Sequence, residues 1–247
     1  MHSLPGALTR RAALSGVAAS ALASSPVFGK ARRPVDVNLV LALDVSDSVK
    51  EDGWQVQRRG YATAFSNPEI QDAILQGSIG CIGVVVVQWS SRMNQTQAVP
   101  WMVIDSREMA GIFSMKLASM KRFFQENTAV GAAIEYCAEV LHFSPYEAMR
   151  SVIDISGDGF DNDPPDRNGN RVPLGMVRNE VATRYPRLTV NGLALLGAPD
   201  VKVDLLEYFE NQVIFGPDSF AIAVEDPGNA ERFTEGLEKK LFKEIVG

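Results

Sequence analysis

Histidine and cysteine are scarce in this chain of 247 residues, because each occurs only twice. Cys81 and Cys137 lie too far apart in the sequence to build a cysteine-based metal site. Cys137 falls on an apolar helical stripe with Val130, Ile134 and Leu141, which predicts that it is buried. The sequence is compatible both with a disulfide between the two cysteines and with two buried thiols.

Blocks of basic residues are also missing, and the overall charge is acidic. The formal net charge is −6, and cleavage after Ala23, which would remove Arg10 and Arg11, changes it to −8. A chain of this charge without a basic block argues against nucleic acid or an anionic membrane surface as a partner.

The N-terminus has the pattern of an export signal. Arg10 and Arg11 precede an apolar stretch, residues 12–23, that is too short and too rich in Ala and Ser for a membrane span. We predict that residues 1–31 are a cleaved signal and that residues 32–247 form one domain in the bacterial periplasm or outside the cell. The paired arginines resemble a twin-arginine signal, although Ala13 stands where Phe or Leu is usual. A general secretory signal is the alternative.

The remainder of the chain alternates predicted strands with predicted helices, which indicates an α/β fold with a mostly parallel sheet covered on both faces. The predicted strands are 36–43, 79–89, 95–104, 150–156, 187–196 and 218–224. The predicted helices are 49–65, 106–121, 129–142, 173–185, 202–211 and 227–245. The segment 95–104 follows the preceding strand too closely for a crossover helix, so we expect it to pair antiparallel at an edge, where Pro100 is tolerated.

Acidic and hydroxyl side chains lie directly next to the ends of three of these segments. Asp44, Ser46 and Ser48 follow the first strand at alternate positions. Thr128 precedes the helix 129–142, and Asp158 follows the fourth strand. Ligands of open parallel sheets bind at the carboxyl ends of the strands, so we expect these residues to lie together. Three hydroxyls and two carboxylates suit a hard divalent cation such as Mg²⁺.

Each of these residues also has an ordinary structural explanation. Ser46 or Ser48 could cap the helix that begins near Val49, and Thr128 could cap the helix that follows it. Asp158 could be a turn residue. Singly, these roles are the commoner ones. Their coincidence at one end of the sheet favours the metal site.

The longest irregular segment, residues 159–170, follows Asp158 and is rich in Asp and Asn. It lacks the spacing and the terminal Glu of an EF-hand calcium loop. We therefore interpret it as a polar surface loop.

The order of these segments resembles that of a von Willebrand factor type A (VWA) domain with a metal-ion-dependent adhesion site (MIDAS). The residues that carry the resemblance are Asp44-x-Ser46-x-Ser48, Thr128 and Ser156-Gly157-Asp158-Gly159. The resemblance covers essentially the whole of residues 32–247, and the segment 208–241 looks like an uncharacterised family of exported bacterial VWA-like proteins, a domain of unknown function. It implies a Rossmann-like three-layer α/β/α fold with a six-stranded, mostly parallel sheet and one antiparallel edge strand.

The resemblance also implies a function. Ser46, Ser48 and Thr128 would bind Mg²⁺ directly, Asp44 and Asp158 would bind it mainly through water, and Mn²⁺ or Ca²⁺ could take its place. An Asp or Glu carboxylate of another protein would complete the coordination shell. The expected function is therefore metal-dependent protein binding.

Enzymatic alternatives fit the sequence less well. A phosphotransfer site of the haloacid dehalogenase type needs a second Asp where Ser46 stands. A Ser-His-Asp hydrolase needs a histidine, and His142 is predicted one helix length away from Thr128. Neither a Gly-x-Ser-x-Gly elbow nor a phosphate-binding Gly-rich loop is present, so we predict that the protein is not an enzyme.

A further alternative is a VWA-like scaffold that binds its partner through another face. The last predicted helix carries an apolar stripe of Phe233, Leu237, Leu241 and Ile245. Spacing of this kind is typical of a helix face that packs against a core, so we interpret it as buried rather than as an interface.

Overall fold

The computed structural model describes His2, residues 31–165, Gly169, and residues 172–197 and 202–247. The chain divides into two units, Met1–Ala31 and Arg32–Gly247. The predicted export signal falls on residues that, apart from His2 and Ala31, lie outside the described part, and it stays a prediction. Parts of the predicted loop 159–170 also lie outside it. None of the helices in the described residues is long and apolar enough to cross a membrane.

Strands and helices alternate through the second unit, as predicted. The strands are β1 (Arg33–Asp44), β2 (Ile82–Trp89), β3 (Gln95–Ile104), β4 (Tyr146–Gly157), β5 (Leu188–Leu196) and β6 (Ala221–Glu225). The helices are α1 (Glu51–Ser66), α2 (Pro68–Leu75), α3 (Arg107–Ala118), α4 (Val130–His142), α5 (Leu174–Arg184), α6 (Lys202–Tyr208) and α7 (Ala230–Val246), and a π-helix covers Phe209–Val213. Helix α2 was not predicted, although Asn67 accepts a hydrogen bond from Glu69 N ahead of a proline in the first turn, which is a typical helix start.

The six strands form one sheet in the order β3-β2-β1-β4-β5-β6. Strand β3 pairs antiparallel with β2, and the other neighbours are parallel. The predicted edge strand, including Pro100, is therefore confirmed. Strands β1 and β4 are adjacent at the centre of the sheet, so the residues that follow them lie side by side.

Two hydrophobic cores cover the two faces of the sheet. Leu39, Leu41 and Leu43 of β1 belong to the core under α1, α2, α3 and α7. Val40 and Ala42 point to the other face and join the core under α4 and α5. This alternation follows from the two-residue repeat of a strand, and it gives the predicted three-layer α/β/α architecture.

The bounds of most elements shift by a few residues from the sequence predictions, and three of these differences lie in the C-terminal part of the chain. The predicted helix 202–211 is divided into α6 and the π-helix. The last helix begins at Ala230 rather than at 227, because the Asn229 side chain accepts hydrogen bonds from Glu231 N and Arg232 N and so caps it there. The last strand begins at Ala221 rather than at 218.

The sequence is compatible with a disulfide or with two free thiols, and the structure contains free thiols. Cys81 and Cys137 are both buried and unpaired, so the predicted burial of Cys137 is confirmed. Burial raises the pKa of the Cys137 thiol above its usual range, which keeps it protonated and unreactive.

A fully buried ion cluster joins α7 to the sheet. Lys240 Nζ lies 2.5 Å from Asp154 Oδ1 and 2.5 Å from Glu244 Oε1, and all three side chains are inaccessible to solvent. Asn191 Nδ2 of β5 donates to the same Glu244 oxygen at 3.0 Å. Burial raises the pKa of Glu244 to about 7, and the charge of Asp154 contributes to the rise. Asp154 thus anchors the last helix from within β4.

Candidate metal centre

The five residues predicted to bind a metal converge at the carboxyl ends of β1 and β4. Asp44 is the last residue of β1, and Asp158 directly follows β4. Thr128 Oγ1 donates to Ser46 Oγ at 3.1 Å. The hydroxyl oxygens of Ser46 and Ser48 are 3.0 Å apart, and Ser48 Oγ donates to Asp158 Oδ1 at 2.5 Å. The hydroxyls therefore form a continuous chain from Thr128 to Asp158.

Asp44 lies at the buried end of this group, with no exposed surface. Its Oδ1 atom accepts a hydrogen bond from Ser46 N at 2.8 Å, whereas its Oδ2 atom is buried without a hydrogen-bond partner. A Cβ atom at Gly157 would lie 3.2 Å from that Oδ2, so the glycine leaves space beside it. Burial raises the pKa of Asp44 to about 7, and the negative charge of Asp158 adds to this effect.

The capping alternative does not describe these hydroxyls. The N-cap residue of α1 is Lys50 and that of α4 is Ala129, and neither helix start has a side-chain cap hydrogen bond. The hydroxyls of Ser46, Ser48 and Thr128 instead contact one another. Their position is explained by the cluster and not by helix capping.

Two cationic side chains lie near the cluster but hold backbone oxygens. Lys50 Nζ donates to Asp47 O at 3.1 Å, and Arg122 Nη2 donates to Ser46 O at 2.7 Å. Within the described residues, neither forms an ion pair with the two carboxylates of the site. Arg122 stabilises the loop after β1, a role that sequence analysis missed because the residue lies in an irregular segment without a recognisable pattern.

The segment that follows Asp158 holds Thr128 in place. Thr128 N donates to Asn162 Oδ1 at 2.7 Å, and Thr128 O accepts from Asn162 N at 2.9 Å and from Asp163 N at 3.2 Å. Asp163 is only 7% exposed and pairs with Arg92. The described part of this segment is mostly exposed and polar, as predicted, but Asn162 and Asp163 also position a residue of the cluster.

Aromatic residues of α6 and the π-helix contact the end of β4 and the segment that follows it. The Phe209 ring reaches within 3.6 Å of the position that a Cβ at Gly157 would occupy. Tyr208 Oη accepts a hydrogen bond from Asp161 N at 3.2 Å, and its ring lies 4.9 Å from that of Phe160. Short π-helical turns are frequent beside functional sites, and this one packs against the carboxyl end of β4.

The donor set fits a hard divalent cation. All five side chains offer oxygen, and the two carboxylates match the charge of one divalent ion. The buried, unpartnered Asp44 Oδ2 is costly without a positive or hydrogen-bonding partner. Among the described residues, no group of three or more His, Cys, Asp or Glu side chains could hold a metal, so a metal bound here would depend on the hydroxyls as much as on the carboxylates.

Comparison with known proteins places the chain in a family and a fold. A family model described as "Protein of unknown function (DUF1194)" matches residues 34–247. No curated protein matches the chain in sequence. Among solved structures, proximal thread matrix protein 1 (PTMP1) from the mussel byssus, with a zinc-occupied MIDAS motif, is 15% identical with a TM-score of 0.57, and the match covers 87% of this chain and 48% of that one.

Two bacterial structures are also similar. The D319A mutant of the PilB minor pilin from Streptococcus sanguinis is 13% identical with a TM-score of 0.59, over 90% of this chain and 63% of that one. An aerotolerance-related membrane protein from Bacteroides fragilis is 18% identical with a TM-score of 0.51, over 85% and 98%. The chain spans about half the length of the mussel protein, 48%. At these identities the likeness shows the fold alone, which is VWA-like.

Proposed function

The chain belongs to the DUF1194 family of proteins of unknown function, and we propose that it is a metal-dependent protein-binding module. Asp44, Ser46, Ser48, Thr128 and Asp158 would hold the cation, with Mg²⁺ preferred and Mn²⁺ or Ca²⁺ as alternatives. The observation that carries the proposal is the buried Asp44 Oδ2 without a partner, at the end of a connected chain of three hydroxyls.

The exposure of the five residues indicates the side from which a partner approaches. Asp44 and Thr128 are 0% and 2% exposed, whereas Asp158 is half-buried and Ser48 is exposed. A bound divalent cation would supply an electrophilic position that an Asp or Glu carboxylate of another protein can occupy. The partner would therefore meet the site beside Ser48 and Asp158, while Asp44 balances charge from within.

Export is part of the proposal. Its support is the sequence of residues 1–31, with paired arginines and an apolar stretch. Structural neighbours named as a pilin and as a byssal matrix protein are consistent with work outside the cytoplasm. We place the mature protein in the periplasm or outside the cell.

We do not propose an enzymatic activity. His142 is the last residue of α4, and Thr128 precedes the first, so the helix separates the histidine from the cluster. A phosphotransfer enzyme of the haloacid dehalogenase type needs a second Asp where this chain has Ser46. The Ser46 hydroxyl contacts those of Ser48 and Thr128. Among the described residues, we therefore assign the side chains of the cluster as metal ligands, and not as part of a Ser-His-Asp or phosphotransfer site.

A Mn²⁺ titration, followed by electron paramagnetic resonance or calorimetry, tests the metal site. Asp158→Ala should weaken Mn²⁺ binding at least about tenfold, because it removes half of the anionic charge of the site. Asp47→Ala is the matched control, since Asp47 is an exposed Asp of the same loop. Equal Mn²⁺ affinity in the two variants would rule out the proposed ligand set.

Capture of a partner on immobilised protein tests the function. Binding should occur with Mg²⁺, disappear with EDTA and disappear in Asp158→Ala, while Asp47→Ala retains it. Substituting the acidic residues of the captured protein should abolish capture. A partner that binds equally well to Asp158→Ala in EDTA would favour the alternative in which another face of the domain does the binding.

A further inference from the structure

A cavity of about 300 Å³ lies at the amino end of β5, at the opposite end of the sheet from the candidate metal centre. Its walls come from the C-terminal turn of α4, the start of β5 and the turn between α5 and β5. That turn is closed by a hydrogen bond from Leu188 N to Tyr185 O, 2.9 Å long. The volume lies at the lower end of the range for pockets that bind small molecules.

The walls of the cavity are apolar and include two rings. Ala138, Leu141 and Leu188 are buried, with 1%, 9% and 4% of their surface exposed. The His142 and Tyr185 rings lie 5.8 Å apart at an interplanar angle of 49°. Tilted rings at this spacing offer faces and edges for an additional aromatic ring.

Four polar side chains of the lining, of which His142 and Arg187 are exposed, form no hydrogen bond or ion pair among the described residues. The imidazole of His142 and the hydroxyls of Ser151 and Tyr185 form no hydrogen bond within the part of the chain that the structure describes, and the guanidinium of Arg187 forms neither a hydrogen bond nor an ion pair there. All four can donate a hydrogen bond. They come from α4, β4 and the turn before β5, so the fold brings together donors that are distant in sequence.

The charge of the lining is positive. Among the described residues, no carboxylate lines the cavity. Arg184, the other lining arginine, pairs with Glu180 at 2.5 Å, which leaves Arg187 as the cation available to a ligand. A ligand that presents negative charge and acceptor atoms is therefore the complement of this cavity.

A larger cleft, of about 890 Å³ beside the end of α7, differs in this respect. The Asp36 carboxylate there accepts from backbone N–H groups at 2.9 and 2.8 Å. Asp72 pairs with Arg107, and Arg150 donates to backbone oxygens at the end of α7. These three charged groups are thus used within the fold, whereas Arg187 of the smaller cavity forms no ion pair among the described residues.

We propose that the smaller cavity binds a small aromatic carboxylate. The carboxylate would face Arg187, with Ser151 and the Tyr185 hydroxyl as further donors, and the ring would lie against His142 and Leu141. This site is separate from the candidate metal centre and does not depend on the function proposed for it.

Calorimetric titration of the full chain with benzoate tests the proposal. EDTA is present throughout, so that a carboxylate bound to a metal at the other end of the sheet does not contribute to the signal. We expect saturable binding of one benzoate per chain, and we expect uncharged benzamide to bind at least about tenfold more weakly because it lacks the charge. Arg187→Gln should weaken benzoate binding roughly ten- to a hundredfold.

Arg59→Gln is the matched control, because it removes the same charge from an exposed arginine of α1, and it should bind benzoate as the wild type does. Amide chemical shifts should change at Ala138 and Leu188 and not at Asp158. Absence of saturable binding, equal affinity of the two arginine variants, or equal affinity for benzamide would overturn the proposal. Equal affinity for cyclohexanecarboxylate would overturn its aromatic part.

Discussion

The protein contains two pairs of buried or half-buried carboxylates, and the pairs differ in where their positive charge comes from. In the interior, Asp154 and Glu244 share Lys240, whose Nζ lies 2.5 Å from an oxygen of each. At the carboxyl end of the sheet, Asp44 and Asp158 face three hydroxyls and, within the described residues, form no ion pair. The interior pair has a cation built into the chain, and the other pair has no paired cation among the described residues; under our proposal, a cation from solvent takes that place.

Strand β4 contributes to both pairs, through Asp154 within it and Asp158 just after it. Burial is the main cause that raises the pKa of both Asp44 and Glu244 to about 7. A buried carboxylate alone therefore does not distinguish a binding site from a structural ion cluster. What distinguishes the two is whether a cation of the chain pairs with the carboxylates and whether the carboxylates are accessible to solvent.

The largest effect should follow from removing the interior cation. Lys240→Met leaves two buried carboxylates without a cation and should lower the free energy of unfolding by about 3–5 kcal/mol. Urea unfolding at pH 7 measures the change. Lys239→Met is the matched control, because Lys239 is exposed and pairs with Glu235 at the surface, where water screens the interaction, so this substitution should change stability little. A cost no larger than that of the control would contradict the comparison.

The next largest effect should come from supplying the missing cation at the other pair. Mg²⁺ at a free concentration about 100 times its Kd should stabilise the folded protein by ~2.7 kcal/mol, because it binds the folded state alone. Thermal unfolding with Mg²⁺ and with EDTA measures this difference. Asp158→Ala should remove the shift and Asp47→Ala should retain it. A shift that persists in Asp158→Ala would place the ion elsewhere.

The candidate site was easier to predict from the sequence than the interior cluster. Asp44, Ser46 and Ser48 stand at alternate positions after an apolar strand, and the topology of a parallel sheet brings Thr128 and Asp158 to the same end. The metal itself stays a prediction, but the convergence of the residues follows from local pattern and fold class.

The interior cluster has no such signal. The buried stripe of α7 was predicted, and Phe233, Leu237 and Leu241 are fully buried. Lys240 and Glu244 flank that stripe and look like solvent-exposed charges, since burial of a lysine depends on what lies opposite it. Only the packing of α7 across β4 and β5 brings Asp154 and Asn191 to them. The contacts of Asn162 with Thr128 were also missed, because they too depend on how segments distant in the sequence pack together.

A third prediction concerns the pH dependence of the interior pair. The folded-state pKa of Glu244 is about 7, above its ordinary value of 4.5, so the folded protein binds more protons than the unfolded chain between these values. The free energy of unfolding should therefore fall as pH rises from 4.5 to 7, by roughly 1–3 kcal/mol, and then level off. Asp154, Lys240 and Asn191 contact or face this carboxyl group, and Tyr61 of α1 lies beside Asp154.

Urea unfolding between pH 5 and pH 8.5, in EDTA and in an Asp44→Asn background, isolates this contribution from that of Asp44. Glu244→Gln should flatten the dependence of unfolding free energy on pH, because Gln does not titrate. At pH 8 this variant should be more stable than the protein that retains Glu244. An unchanged slope in Glu244→Gln would assign the pH dependence to other groups.

The smallest effect should come from neutralising the uncompensated pair in the absence of metal. Asp44→Asn removes a buried negative charge and keeps the Oδ1 atom that accepts from Ser46 N, so in EDTA at pH 8 it should raise the free energy of unfolding by ~1 kcal/mol. The stabilisation by Mg²⁺ should be lost in the same variant. This result is expected of a site whose negative charge destabilises the empty protein but binds a ligand. Asp47→Asn should change stability by less than about 0.5 kcal/mol in EDTA. Destabilisation by Asp44→Asn in EDTA would mean that the fold already compensates this charge, and the contrast with Lys240 would then disappear.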